Sequence, residues 1–438
     1  MIEYKGKYTT AKVMIDEIEN TCAGQIVEFI NNEAFTNPVA IMPDTHAGKG
    51  AVIGFTMEMG DKVIPNVIGV DIGCGMLSGN LGKNLFASIR KDQLDRAMRK
   101  AVPVGTNARK TISDEFDANL FYSRVNQKIS MLRVKFGMKF DTVMPQVRVH
   151  DGYMENLCKL IRCDFDKVLK SIGSLGGGNH FIEIGKSDET GDYWLTIHSG
   201  SRNFGKCVAE YHQRRAVIRC QTPTVSKADY ILRVKKDFGQ KDWQKEIARY
   251  TETQTKYVPR GMEYLQGQDM YDYLVHMIIA QTYADFNRKV MMDELHHVLD
   301  NLDIDYTGLG EEIVSVHNFI DFDDWIIRKG AIRSYVGEKM IIPWNMEDGL
   351  TLCEGKSNPE WNCSAPHGAG RLFSRSEAKK RLSLDDAKAS MKAKGIYSSG
   401  IPHDEIKDAY KDPEIIEICI EPTATIIDRV RPVMNMKG

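Results

Sequence analysis

The sequence predicts an α+β fold in which central β-sheets are flanked by helices. In the N-terminal third, short β-branched runs are bounded by Gly, Pro or Asn, a pattern typical of strands. Farther along, apolar residues repeat at a spacing of three to four from Met270 to Ala284, which predicts a long amphipathic helix. No linker rich in Pro, Ser or Gly divides the 438 residues, so we expect one large domain that covers residues 1–438.

The first predicted elements are one helix and three strands. The stretch Asn20–Asn32 places Cys22, Ile26, Val27 and Ile30 on one helical face, so we expect Cys22 in the core. Strands are predicted at Val39–Met42, Ala51–Met59 and Val63–Val70. The basic and aromatic stretch Phe116–Phe140 follows, and its composition suits either an RNA-binding surface or a solvated helix with buried Phe.

The second half of the chain alternates predicted strands and helices. Strands are predicted in "SLGGGNHFIEIG", "WLTIHSGSRNFG" and "EEIVSVHNFIDF". Residues 221–260, rich in Lys and Asp, are predicted to be a polar insertion or surface element. His276 lies beside the apolar face of the long helix, which favours a structural role. Near the end, Ser383 and Asp386 resemble a capping box, and Gly395 is a predicted helix stop.

Composition and charge bound the class of protein. The chain is 42% hydrophobic and 27% charged, as in a soluble globular protein. It has no apolar run near the roughly 18 residues that a membrane span needs, and "MIEYKGKYTT" at its start has no apolar segment typical of a leader, so we expect a cytoplasmic protein without a membrane partner. Nine irregularly spaced cysteines predict reduced thiols instead of a disulfide framework. The net charge of −2 neither indicates nor excludes nucleic acid.

Five potential metal ligands share one sequence context, in which an apolar run meets small residues and a turn. They are Asp71, Cys74, His180, His198 and His317. Strand ends deliver side chains to a common cleft, and five ligands exceed what one tetrahedral ion with an open position uses. One hypothesis is therefore a two-metal site with a bridging thiolate. The alternative is that each histidine is a hydrogen-bonded core residue and that Cys74 is a small buried one. Ligand softness alone favours zinc.

Glycine-rich segments indicate an anion site, and His367 is the candidate nucleophile. "GSLGGGNH" and "SAPHGAGR" expose consecutive backbone N–H groups, and Arg202 or Arg371 could add bidentate contacts to phosphate. The sequence lacks both the P-loop pattern and the Lys-x-Asp-Gly motif of lysine nucleotidyltransferases, so a covalent nucleotide adduct needs another residue. His367 sits between Pro366 and Gly368, where a neutral imidazole is accessible. A general acid/base or turn role is the alternative.

Six ordered motifs resemble the RtcB family of GTP- and manganese-dependent RNA-splicing ligases. They are "GVDIGCGM", "GGGNHFIE", "HSGSR", "VHNF", "HGAGR" and a terminal "KG". The earlier "MPDTHAGKGAVIG" and "VIPNVIGVDIG" also resemble the N-terminal half of that family. The resemblance runs from about Met42 to Gly438, almost the whole chain, and it implies an RtcB-like fold around a dinuclear metal cleft.

The resemblance implies a role for each candidate residue. The ligands of two Mn²⁺ ions would be Asp71, Cys74, His180, His198 and His317. Cys74 would be shared by both ions, and manganese replaces zinc as the expected metal. His367 would be the catalytic residue that GTP guanylylates, and Glu183 would read the guanine. The implied nucleotide contacts are Asn179, His180, Phe181, Ile182, Glu183, His317, Asn318, Pro343, Asn345, Met346, His367, Gly368, Ala369, Gly370 and Lys437.

The implied reaction has three steps at phosphorus. His367 attacks the α-phosphorus of GTP and releases pyrophosphate, GMP moves to an RNA 3′-phosphate, and the 5′-hydroxyl of a second RNA end displaces GMP. A 2′,3′-cyclic phosphate is first opened to a 3′-phosphate. An archease-like protein is the activating partner that the resemblance suggests. The residues expected to hold RNA are the basic ones of Ser123–Lys139, together with Arg202, Arg371 and Arg375.

One segment departs from the family pattern. Where the family commonly has Pro-Gly-Ser-Met-Gly, this chain has Pro343-Trp344-Asn345-Met346-Glu347. Trp344 and Glu347 replace small residues that line the nucleotide pocket in relatives, which leaves open the nucleotide preference and the choice between tRNA splicing and repair of damaged RNA. The alternatives are a metal-dependent hydrolase of RNA-end phosphates that no longer ligates and a non-catalytic RNA-binding relative.

Overall fold

The computed structural model describes residues 1–222, 225–249, 258–306 and 310–437, and it combines two large β-sheets with surrounding helices. The predicted α+β class is thereby confirmed. The strands are β1 Ile2–Lys5, β2 Thr10–Val13, β3 Val39–Ile41, β4 Phe55–Glu58, β5 Lys62–Val63, β6 Gly75–Gly82, β7 Phe181–Ser187, β8 Tyr193–Ser199, β9 Leu265–Gln266, β10 Glu312–Val316, β11 Asn318–Ile320, β12 Ile326–Lys329, β13 Ala331–Arg333, β14 Lys339–Pro343, β15 Leu350–Gly355, β16 Ser364–Pro366, β17 Tyr397–Ser398 and β18 Ala424–Lys437.

The α-helices surround these sheets. Those formed by the described residues are α1 Asn20–Ile30, α2 Pro65–Ile68, α3 Lys91–Ala101, α4 Ala118–Phe136, α5 Met138–Val143, α6 Asp151–Ile161, α7 Phe165–Lys170, α8 Arg202–Gln221, α9 Lys227–Asp237, α10 Trp243–Ala248, α11 Gln268–Asn301, α12 Arg375–Arg381, α13 Leu384–Ala393 and α14 Pro413–Cys419. None of the described helices is long and apolar enough to cross a membrane.

The larger sheet has eight strands and is nearly closed. Its main path runs β10-β6-β8-β7-β18-β15-β14, and β17 attaches to β18. The two outer strands of this path, β10 and β14, approach each other. The Ile341 amide of β14 donates to the Ser315 hydroxyl of β10 at 2.9 Å. The start of β7 and the ends of β8 and β10 consequently lie near one another.

The smaller sheet has six strands in the order β1-β2-β3-β4-β12-β11. Its helix α1 buries Cys22, Ile26 and Ile30, as the sequence predicts. Val27, predicted on the same face, is exposed, because it follows Ile26 by one residue and so points away from the buried face. The last strand of this sheet, β11, begins at Asn318, and only His317 separates it from the end of β10 in the larger sheet. His317 therefore stands at the junction between the two sheets.

The helix α11 is 34 residues long and contributes to the two largest clusters of buried apolar side chains, one beside each large sheet. Its first half packs below the smaller sheet, and Met291–Leu299 packs below the larger one. The predicted helix over Met270–Ala284 is confirmed but too short, because apolar residues continue at helical spacing. Between the two halves, the fully buried Arg288 donates to the Gly73 and Ser199 carbonyls at 2.7 and 2.8 Å. This helix thus fixes the backbone beside the candidate metal ligands.

Some predicted strands differ from the structure. Of the strand predicted at Ala51–Met59, only Phe55–Glu58 forms a strand, β4. The strand predicted at Val63–Val70 is wrong after Val63. There the chain forms α2, because Pro65 at its first turn lacks an N–H and has a φ that suits a helix start. The strands predicted around Val39, in "HFIEIG", in "WLTIHS" and in "EEIVSVHNFI" are confirmed.

Three further predictions concern surface elements. Ser383 caps α13 by accepting a hydrogen bond from the Asp386 amide, and Gly395 follows the helix with a φ of 69°, as expected. The basic stretch Phe116–Phe140 forms α4 and the start of α5, with Phe121 buried. Residues 223–224 and 250–257 of the predicted insertion lie outside the described residues, so the single domain and its insertion stay predictions.

Candidate functional site

The loop that carries Asp71 and Cys74 joins α2 to β6. The two residues were expected after a strand, but they follow a helix and Cys74 immediately precedes β6. Gly73 adopts a φ of 71° between them, and a Cβ there would lie 3.0 Å from Ala284 Cβ and from the Cα of Gln281. Only glycine lets this loop pack so closely on α11.

The three candidate histidines come from neighbouring strands. His198 is the penultimate residue of β8, and its register partners are Met76 on β6 and Phe181 on β7. His180 directly precedes β7, and His317 directly follows β10. Because β10, β6, β8 and β7 are consecutive in the larger sheet, their ends bring all three rings to one place.

Five side chains converge into two donor groups that share one thiol. Cys74 Sγ lies 3.3 Å from His198 Nε2 and 3.5 Å from His180 Nε2. His180 Nε2 lies 2.9 Å from the Asp71 carboxylate, and His198 Nε2 lies 3.3 Å from His317 Nε2. Within each group the donor atoms are at most 4.8 Å apart. The groups are Cys74, His198 and His317, and Asp71, Cys74 and His180.

Hydrogen bonds orient the rings toward this centre. His180 Nδ1 bonds the Leu175 carbonyl at 3.0 Å, and His198 Nδ1 bonds the Asn179 carbonyl at 3.1 Å. Because a carbonyl only accepts, Nδ1 of each of these two rings carries a proton and Nε2 faces the centre, the orientation that metal-binding histidines adopt. His317 Nδ1 has no hydrogen-bond partner among the described residues, and His317 Nε2 faces His198 Nε2.

Burial sets the charges of the centre. It lowers the pKa values of His198 and His317 well below the usual range, with the neighbouring histidines adding to the effect. Burial and then the Asp71 charge raise the pKa of the Cys74 thiol well above its usual value. Burial opposes ionisation of Asp71, but His180, Cys74 and His198 together outweigh it and lower the pKa of this carboxyl. The chemistry of this donor set, with imidazoles, a carboxylate and a thiol, fits divalent metal ions.

A cleft adjoins the metal centre and contains His367. The imidazole follows β16, and its ring centre lies 4.9 Å from that of His317. Its Nδ1 bonds the fully buried carboxylate of Asp44 at 2.6 Å, so Nε2 is the nitrogen left to meet a ligand. Asp44 is a residue that sequence reasoning missed, although it lies in the quoted "MPDTHAGKG". We call this space the central cleft; it spans about 800 Å³ including its open mouth.

Most predicted nucleotide contacts line the central cleft. They are Asn179, Phe181, Glu183, Pro343, Asn345, Met346, His367, Gly368, Ala369, Gly370 and Lys437. His180 and His317 point into the metal centre instead, and Asn318 accepts a hydrogen bond from the Gly330 amide at 3.0 Å. Ile182 packs into the core below the larger sheet, because side chains on β7 alternate between the two faces.

Charged groups on one wall of the central cleft form a network around Glu405. Arg371 and Arg375 lie 3.1 and 3.2 Å from its carboxylate, and Lys437 lies 3.6 Å away. Burial lowers the pKa of Lys437, whereas burial raises that of Glu183 to about 8. Sequence reasoning missed Glu405 and also Tyr410 and Asn435, which line the same cleft and stand in no recognisable motif.

Comparison with known protein families identifies the family to which this chain belongs. The family model described as "tRNA-splicing ligase RtcB" matches residues 25–438. The chain belongs to the RtcB family. It is 29% identical to the RNA-splicing ligase RtcB of Escherichia coli K12, over 91% of this chain and 90% of that protein. It is 27% identical to the tRNA-splicing ligase RtcB of Nanoarchaeum equitans, over 91% and 88% of the two chains.

The divergent segment of this RtcB chain places only one of its two large residues in the cleft. Trp344 lines it, and its indole N–H donates to the Thr351 hydroxyl at 2.6 Å. Glu347 turns away, accepts a hydrogen bond from Ser390 at 2.6 Å and pairs with Lys394 at 2.9 Å. Trp344 is therefore the one of the two that contributes to the wall of the cleft, while Glu347 anchors α13.

The residues expected to hold RNA separate into two sets. Arg371 and Arg375 line the central cleft. Arg202 does not, because its guanidinium donates to the Ser174 hydroxyl at 3.1 Å and to the Gly105 carbonyl at 2.7 Å. In the basic stretch, intramolecular partners engage several cations, for example Lys128 with Asp285 at 3.6 Å.

Proposed function

We propose that this RtcB protein is a GTP-dependent RNA ligase that joins 3′-phosphate or 2′,3′-cyclic phosphate ends to 5′-hydroxyl ends. The observation that carries the proposal is the position of His367, hydrogen-bonded to buried Asp44 on one side and facing the central cleft beside the candidate metal centre on the other. The alternative of a turn histidine does not account for a buried acid held against its ring.

In the first step, His367 Nε2 attacks the α-phosphorus of GTP, pyrophosphate leaves, and a phosphoramidate to GMP forms. Asp44 accepts a hydrogen bond from the Nδ1–H group throughout, so it keeps the ring oriented and stabilises the positive charge that the imidazole gains. GMP then passes to an RNA 3′-phosphate, and a 5′-hydroxyl displaces it. A cyclic end is opened to the 3′-phosphate beforehand.

The candidate metal centre supports all of these steps, since each is a displacement at phosphorus. The residues that would hold two Mn²⁺ ions are Asp71, Cys74, His180, His198 and His317. When bound, the ions supply charge neutralisation to phosphoryl oxygens. The shared position of Cys74 in both donor groups suits a bridging thiolate.

The walls of the central cleft suit GTP. Glu183 is buried, and its Oε1 finds no hydrogen-bond partner among the described residues, so it can accept from the N–H groups of guanine. Arg371, Arg375 and Lys437 supply positive charge for phosphates of the nucleotide and the RNA end. A cytoplasmic location and an archease-like activator belong to the same proposal.

Labelling tests the proposal directly. The protein is incubated with Mn²⁺ and GTP labelled at the α-phosphate and then denatured. We expect a covalent label that acid releases and alkali does not, absent from His367→Ala and present in His297→Ala, whose ring lies at the surface. An undiminished label in His367→Ala would contradict the proposed mechanism. With RNA ends added, opening of cyclic phosphate without joining would indicate the hydrolase instead.

A further inference from the structure

Two thiols meet at the surface where the chain after α6 approaches the first turns of α8. Cys163 and Cys207 are both half-buried. The side-chain amide of exposed Asn203 lies 3.4 Å from Cys207 Sγ and 3.9 Å from Cys163 Sγ. One amide nitrogen therefore lies within 4 Å of both sulfurs. The two sulfurs are therefore neighbours that solvent can reach.

We propose that Cys163 and Cys207 close reversibly to a disulfide when the protein meets a small-molecule disulfide. Two neighbouring thiols, within reach of an oxidant in solution, are what this exchange requires. Neither residue belongs to the two candidate metal groups, so the modification site is separate from the centre that contains Cys74.

The hydrogen bonds indicate which sulfur attacks first. Burial and then Cys207 raise the pKa of the Cys163 thiol, which disfavours Cys163 as the first nucleophile. Cys207 Sγ accepts a hydrogen bond from the Asn203 amide at 3.4 Å, shorter than the 3.9 Å from that amide to Cys163 Sγ. We therefore assign the first attack to Cys207.

The exchange proceeds in two balanced steps. Cys207 loses its proton and attacks one sulfur of the small disulfide, which expels one thiol and leaves a mixed disulfide. Cys163 then loses its proton, attacks Cys207 Sγ and expels the second thiol. Two protein thiols are oxidised to one disulfide, the small disulfide is reduced to two thiols, and the two protons leave with them.

Cys158 is a third thiol, which could compete with Cys207 for a disulfide bond to Cys163. It lies close enough to influence the charge of Cys163, but it is buried. Access to solvent therefore favours the bond to Cys207. That bond would tie α8 to the chain after α6 and close a loop of about 45 residues, which should raise the melting temperature by a few degrees.

Peptide mapping tests the site on the full chain. The folded protein is treated with oxidised glutathione, quenched with N-ethylmaleimide and digested without reductant. We expect one linked peptide pair containing Cys163 and Cys207, which dithiothreitol separates, together with a higher melting temperature. Cys207→Ser should lose the link and the shift, and Cys158→Ser should keep both.

Three results would overturn the proposal. They are alkylation of both thiols in oxidant-treated protein that retains its native circular dichroism, a glutathione adduct on Cys207 that never closes, and a link that joins Cys158 instead. Mapping of the wild type suffices for each of them, so the test stands even where a variant fails to fold.

Discussion

The carboxylate of Asp44 lies 2.6 Å from Nδ1 of His367, although 323 residues separate the two in the chain. Asp44 is fully buried, whereas the His367 side chain is one-fifth exposed, toward the central cleft. An acid that fixes the tautomer and orientation of an imidazole is worth orders of magnitude in rate where that imidazole reacts.

Asp44→Asn should therefore slow formation of the His367 adduct by at least about 100-fold, because an amide no longer stabilises the charged ring. The rate of label incorporation from GTP measures this. Asp166→Asn, at an exposed carboxylate on α7, is the matched control and should leave the rate unchanged. An Asp44→Asn rate equal to that of the wild type would show that the pair is structural.

Cys74→Ala should remove more than half of the bound metal, because this thiol belongs to both donor groups. Metal content after loading with Mn²⁺ and exhaustive dialysis measures the loss. Cys419→Ala changes a thiol outside both groups and should retain full content. Full occupancy in Cys74→Ala would mean that the thiol only packs.

Gly73→Ala should weaken metal binding as well as folding, whereas Gly395→Ala should affect folding alone. The two glycines have φ values of 71° and 69°, so both substitutions cost about 1 kcal/mol of backbone strain. An added Cβ at Gly73 also presses on α11, while at Gly395 nothing lies within 4 Å. Urea unfolding and Mn²⁺ titration distinguish them, and equal Mn²⁺ affinities would contradict the prediction.

Glu183 should make the metal- and nucleotide-free protein less stable as pH rises. Burial raises its pKa from 4.5 to about 8, against the attraction of Lys437. Between pH 4.5 and about pH 8, the folded protein keeps a proton on the Glu183 carboxyl that the unfolded chain has released. The free energy of unfolding then falls with rising pH, by up to about 1.4 kcal/mol per pH unit.

Glu183→Gln should flatten this dependence, since the amide does not titrate. Urea unfolding of both proteins between about pH 5 and pH 8 measures it. Parallel curves for the wild type and the variant would show that the carboxyl ionises normally in the folded protein.

Much of this arrangement could be predicted from local patterns. The apolar runs before His198 and His317 predict strands, and the structure places both side chains at the same end of the larger sheet. The strand prediction at Val63–Val70 is wrong for a local reason. The β-branched residues of that segment favour a strand, but Pro65 starts a helix there.

Other parts depend on contacts that no local pattern contains. Asp44 meets His367 only because the chain that follows β3 packs against the chain that follows β16. Glu405 contacts cations from α12, from β18 and from the loop before α12. Cys163 and Cys207 likewise meet only where the chain after α6 approaches α8.

The long strand β18 pairs with β7 across more than 240 residues, with Val430 opposite Ser187. Pairings of this sequence separation form late, because the entropy of closing such a loop is lost before any contact compensates for it. Helices such as α11 need no distant partner to begin. During refolding, helical content should thus return well before the wall of the central cleft, and ligand binding would report the last event of folding, not the first.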